Sequence, residues 1–152
     1  MEQPIKMLDG RTDEATKQML QGVVKRKRKF DSLRKKHLGV MSLTIGLTAI
    51  FLLYLYKTII QPYSYSFYEV FSVFVSQSAN LYFLIVTLGL FGLMNLLKEK
   101  REKAEKEYHA LRCEIIDKSK DLWKKEEEWK NRHLVFEMMK KQYDINLFHE
   151  NK

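Results

Sequence analysis

The chain has one cysteine, Cys113, among 152 residues. A single cysteine excludes an intrachain disulfide and any zinc site built on several thiolates. Charge is just as scarce over one long stretch: residues 38–97 carry only Lys57 and Glu69. Neither glycine nor proline occurs after Gly92, so nothing there interrupts a helix. A P-loop, a dinucleotide-binding glycine pattern, an HExxH pair and a nucleophile elbow are all missing. The sequence therefore predicts no catalytic residue, no cofactor and no metal, and a protein that is not an enzyme.

What is present is segregated. Mean hydropathy is −0.37 and 30% of residues are charged, averages that resemble a soluble protein. Yet residues 1–37 hold 11 basic and 5 acidic side chains, and residues 98–152 hold 15 and 13. Residues 38–56, "LGVMSLTIGLTAIFLLYLY", are uncharged and as a helix reach about 28 Å, close to the ~30 Å hydrocarbon core of a bilayer. Residues 81–97, "LYFLIVTLGLFGLMNLL", form a second, shorter apolar run. The reading is an all-α integral membrane hairpin of two transmembrane helices with long cytoplasmic helical extensions. The alternative, two core helices of a soluble protein, normally shows a polar stripe. The first run is expected to be retained, since no small-x-small cleavage site follows it.

Basic residues orient the hairpin. Arg34, Lys35 and Lys36 abut the first run, and Lys98, Lys100 and Arg101 abut the second; the 57–80 loop has one lysine and no arginine. Positive residues stay inside, so both termini are expected on the cytoplasmic side of the cell membrane. The distal run Lys25–Lys29 would stand roughly 14–20 Å beyond Leu38 on a straight helix, further than the ~8 Å Debye length. It reads as a solvated face or a partner site unless it lies along the lipid. No helix-turn-helix, zinc pattern or aromatic–basic motif accompanies it, so nucleic acid is not the expected partner.

In the loop, Ser66 and Glu69 have capping-box spacing. Phe67, Val70, Phe71, Phe74 and Val75 follow on one helical face. This predicts an interfacial helix at about 67–76. Small residues on the apolar runs, Gly39, Ser42, Gly46 and Ala49 on the first and Gly89 and Gly92 on the second, offer close helix packing within the hairpin or between copies.

Beyond Lys98, Tyr108, Ile115, Leu122, Trp129, Phe136 and Tyr143 recur every seven residues. The companion positions begin with Ala104 and Leu111, then fail at Lys118, Lys125 and Arg132. Such an incomplete seam supports helix packing or partner binding more than a regular coiled coil. A turn is expected near 119–123, with Ser119 or Asp121 capping a helix to about Tyr143 and a loose end after it. In residues 1–37, Asp9 or Thr12 is expected to cap a helix whose stripe is Met19, Val23, Phe30 and Leu33, interrupted by Arg26. His109 and Cys113 share a face, but two ligands do not make a metal site.

The words "KREKAEKEYHALRCEIIDKSKDLW" and "MMKKQYDINLFHENK", with "LDGRTDEATKQML" near the start, resemble a small family of Bacillus-type proteins, the YpbF family. The resemblance spans nearly the whole chain. It implies a two-span membrane protein of Gram-positive bacteria with no assigned activity, and it carries over no functional residue. The functional expectation is a membrane-anchored adaptor whose cytoplasmic helices bind a protein or another copy. The alternative is a subunit of an oligomeric conduit for ions or small molecules.

Overall fold

A computed structural model describes residues 2–8 and 12–148. They are all-helical, and no strand occurs among them. In chain order the helices are α1 (Gln3–Lys6), α2 (Glu14–Leu55), α3 (Phe67–Ser76), α4 (Ser78–Asp117), α5 (Ser119–Leu122) and α6 (Glu126–Tyr143), with a π-helical turn at Tyr56–Ile60. The chain divides into two compact units, Met1–Ser32 with Arg101–Lys152, and Leu33–Lys100. The long helices α2 and α4 each contribute to both.

The first unit has a conventional apolar core. From α2 come Leu20, Val23 and Val24; from α4, Tyr108 and Ile115; from α6, Val135, Phe136 and Met139. Ile5 of α1 is also fully enclosed. Helix α2 starts where the Asp13 carbonyl accepts the Lys17 amide at 3.0 Å. The start is therefore not set by Thr12, and Asp9 lies outside the described residues. Trp123 follows α5 and is buried edge-on against Phe136, with ring centroids 5.5 Å apart.

Helix α6 begins after Lys125, with no side-chain cap, so neither Ser119 nor Asp121 serves it. It ends in a left-handed αL cap. Asp144 takes the left-handed conformation at φ 56°, its amide donates to Lys140 O, and the Ile145 amide donates to Met139 O. The accompanying apolar contact pairs Ile145 with Met139, neither of them exposed at all. Leu147 is buried as well, so residues 144–148 are not the loose end that the sequence predicts. Ile145 and Leu147, two residues apart, are both turned inward.

The second unit holds the two apolar runs. Phe51 of α2 stacks on Phe83 of α4, centroids 5.5 Å apart. Tyr54 donates from its hydroxyl to Gln77 Oε1 at 3.5 Å. Asn80, fully buried, donates to Phe74 O and Gln77 Oε1. Helix α2 ends ahead of Pro62, whose ring and missing N–H disrupt the ordinary ladder; the Gln61 amide instead reaches back five residues to Tyr56 O. Ser66 caps α3, its hydroxyl accepting the Glu69 amide at 3.4 Å. Thr44, Thr48 and Thr87 each donate to the carbonyl four residues back. Their hydroxyls are thus satisfied without a partner helix.

Candidate functional site

The basic run of α2 is drawn into the first unit. Arg26 donates to Glu107 O at 3.0 Å, and Lys29 Nζ lies 3.2 Å from Glu107 Oε2. Arg28 grips both carboxylate oxygens of Glu2, at 2.7 and 3.1 Å. Lys27 has a side chain only 14% exposed and lies 3.3 Å from Asp31 and 3.5 Å from Asp144. Its ammonium also sits 5.8 and 5.7 Å from the rings of Phe30 and Tyr108. Those rings are parallel to within 3° at 6.3 Å. The distal run is a solvated face whose charges are largely met within the chain: Arg26, Lys27, Arg28 and Lys29 have partners there, and all but Lys27 stay exposed. The reason is supply. Sequence spacing alone did not reveal that Glu2, Glu107 and Asp144 converge on α2.

These contacts move protons. The hydrogen bond from Lys29 holds the Glu107 carboxyl below its usual value, and that from Lys118 does the same for Glu114. Burial pushes the Tyr108 phenol up, against the opposing pull of Lys27 and Arg112. Tyr108 is a buried member of the core. A cleft of about 340 Å³ beside this cluster is lined by Lys27, Arg28, Asp31, Lys141, Tyr143 and Asp144, among others. Lys27 pairs there with Asp31 and Asp144, while Arg28 and Lys141 pair with Glu2 and Glu137 outside the lining.

All six predicted seam residues lie in or against one core. Tyr108, Ile115 and Phe136 are in the buried cluster, while Leu122, Trp129 and Tyr143 pack against it. They hold this chain together, which leaves outward side chains as the surface available to a partner. Of the failed companion positions, Lys118 and Lys125 are exposed and Arg132 stacks 3.3 Å above the Trp129 ring. Among the described residues no three His, Cys, Asp or Glu side chains are placed to hold a metal ion. His109 lies 3.9 Å from Glu105.

Of the two packings expected of the small residues, the one within the hairpin is not formed. Gly39, Ser42, Gly46, Ala49, Gly89 and Gly92 are all exposed. A Cβ on any of these four glycines would meet nothing within 4 Å. The packed stripe of α2 in this unit is instead His37, Thr44 and Phe51, one residue in seven. Bulkier aromatic contact at Phe51 and Phe83 holds the helices where the small faces do not meet.

Arg34, Lys35, Lys36, Lys98 and Lys100 are exposed; Arg101 is partly buried and 3.6 Å from Glu102. Around the apolar runs the usual inside–outside order is reversed. Ile45, Ile50, Leu53, Ile85 and Leu88 are each more than 60% exposed. Only 11% and 6% of the most apolar windows of the two long helices are buried.

The fold is thus that of an all-helical protein with two helices long and apolar enough to cross a membrane. The family model described as "Protein of unknown function (DUF2663)" matches residues 19–150. The uncharacterized protein YpbF of Bacillus subtilis (strain 168) is 37% identical over 155 aligned positions, covering all of both chains. The chain belongs to this family. No solved structure matches it.

Proposed function

We propose that this is a non-enzymatic integral membrane protein, an adaptor that anchors a folded, charged helical body to the cytoplasmic face of the cell membrane. The observation that carries the reading is the outward-facing apolar surface of residues 33–100. A water-soluble protein rarely exposes a contiguous apolar patch larger than a few hundred Å², and side chains such as Ile50 and Leu53 here face away from the chain. Lipid is the solvent that suits them. The asymmetric cations support both termini on the cytoplasmic side. The residues 2–32 and 101–148 have their own core, which supports a body able to present outward side chains to a protein partner.

Tags at each terminus, tested with protease on intact cells and on inverted vesicles, check the topology. Cleavage of both tags only in inverted vesicles is the expected outcome; cleavage of either in intact cells contradicts it. Residues Gly39, Gly46, Gly89 and Gly92, open to contact, support a second reading in which several copies assemble into a conduit. Crosslinking in native membranes separates the two: discrete homo-oligomers that make vesicles leak favour the conduit, and monomers in tight vesicles favour the adaptor.

A further inference from the structure

We propose that the basic end of the 33–100 unit is a binding surface for anionic phospholipid headgroups; this rests on the membrane reading above. Five cations collect there, Arg34, Lys35 and Lys36 on α2 and Lys98 and Lys100 on α4, against one acid, Glu99. All five are exposed, and no carboxylate of the described residues pairs with any of them. The stack of Phe51 on Phe83 fixes their level. Counting residues from it, Arg34–Lys36 stand roughly 22–26 Å away along α2 and Lys98–Lys100 the same along α4. The two helices are antiparallel there, Phe51 facing Phe83 and Tyr54 facing Gln77, so both sets lie on the same side of the stack at one level.

Depth points to phosphate. Measured from the middle of each apolar run, the five cations lie roughly 14–20 Å out, where the hydrocarbon of a ~30 Å core gives way to headgroups. Lysine and arginine stems can bridge the remaining distance while burying their methylenes. Like charges crowded in one plane repel, and Glu99 is the one acid of the 33–100 unit at that level. The contrast with Arg26–Lys29, whose charges meet Glu107, Asp31, Asp144 and Glu2, is informative. One set of cations is satisfied by the protein; the other is left for anions at the level of a leaflet.

The test uses full-length protein reconstituted from mild detergent into vesicles of phosphatidylcholine alone or mixed with phosphatidylglycerol, with retained lipid counted after re-extraction. Phosphatidylglycerol should be retained about fivefold over phosphatidylcholine at low salt, the ratio that ~1 kcal/mol per membrane-proximal cation gives, and the excess should vanish in 0.5 M salt, where charges are screened within about 4 Å. R34Q/K35Q/K36Q/K98Q/K100Q should fall to within about twofold. K35R/K36R/K98R/K100R, which keeps every charge, should keep the preference, as should K25Q/K29Q. Equal retention of the two lipids by the wild type overturns the inference while leaving the membrane reading intact. So does a preference lost in K25Q/K29Q but kept in the five-site variant, or RNA or an acidic peptide displacing the phosphatidylglycerol. Protein that enters neither kind of vesicle contradicts the membrane reading itself.

Discussion

Lys27 shows how much a single side chain can organise. Its stem lies among apolar groups while its ammonium meets two carboxylates and two ring faces. Both the stem and the charge contribute, and substitution separates them. Lys27→Ala should cost about 1–2 kcal/mol in denaturant unfolding, from lost packing and cation–π contact. Lys27→Met, which keeps the stem, should cost less than half as much, since Asp31 is partly and Asp144 almost wholly exposed and both can turn to water. Equal costs would show that charge alone matters. At acid pH the direction follows from Glu107 and Glu114, whose carboxyls are held below their usual value. Their contribution is present above the unfolded carboxylate pKa and is lost as pH falls through the lower folded one. Melting temperature should therefore drop below the usual carboxylate range, and less steeply in E107Q/E114Q. Tyr108 works in the opposite sense. Its raised pKa gives stability below the ordinary phenol value that is lost as pH climbs through the folded one. Tyr108→Phe should flatten the alkaline limb of the stability profile.

At the scale of elements, periodicity carries most of the information. The seven-residue recurrence from Tyr108 to Tyr143 selects residues that share one core. The Ser66–Glu69 spacing marks the start of α3. Two things were not legible. Cap identity depends on backbone geometry at the break, so α6 starts without a side-chain cap despite candidates nearby. Long-range charge pairing also leaves no local signal, which hid the internal use of Arg26–Lys29. A signal for Lys27 did exist: Leu20, Val23, Lys27 and Phe30 follow the 3–4 spacing of a packed stripe, so a charge at that position has to be met inside. Packing in the first unit makes two opposed predictions. Ile115, with no exposed surface, should cost about 2–5 kcal/mol when changed to alanine. Gly22→Ala should instead stabilise by up to ~1 kcal/mol, because the new Cβ would sit in ordinary contact, 3.4 Å from Leu111 Cδ2. Urea unfolding followed by tryptophan fluorescence reads both, with Trp123 as the buried reporter.

For the molecule as a whole, each of the two units follows its own order of burial. In residues 2–32 and 101–148, apolar side chains face inward and charges pair at the surface, as water demands. In residues 33–100 the apolar side chains face outward, while Thr44, Thr87 and Asn80 direct their hydrogen bonds back into the chain. That inversion is what a bilayer demands of a helix, and a peripheral attachment would leave most of that surface wet. The direct measurement is extraction: membranes carrying the full-length protein are washed at alkaline pH in carbonate and floated on a density gradient. The account predicts that the protein floats with the lipid and leaves it only in detergent; a monodisperse protein in the detergent-free supernatant would contradict it.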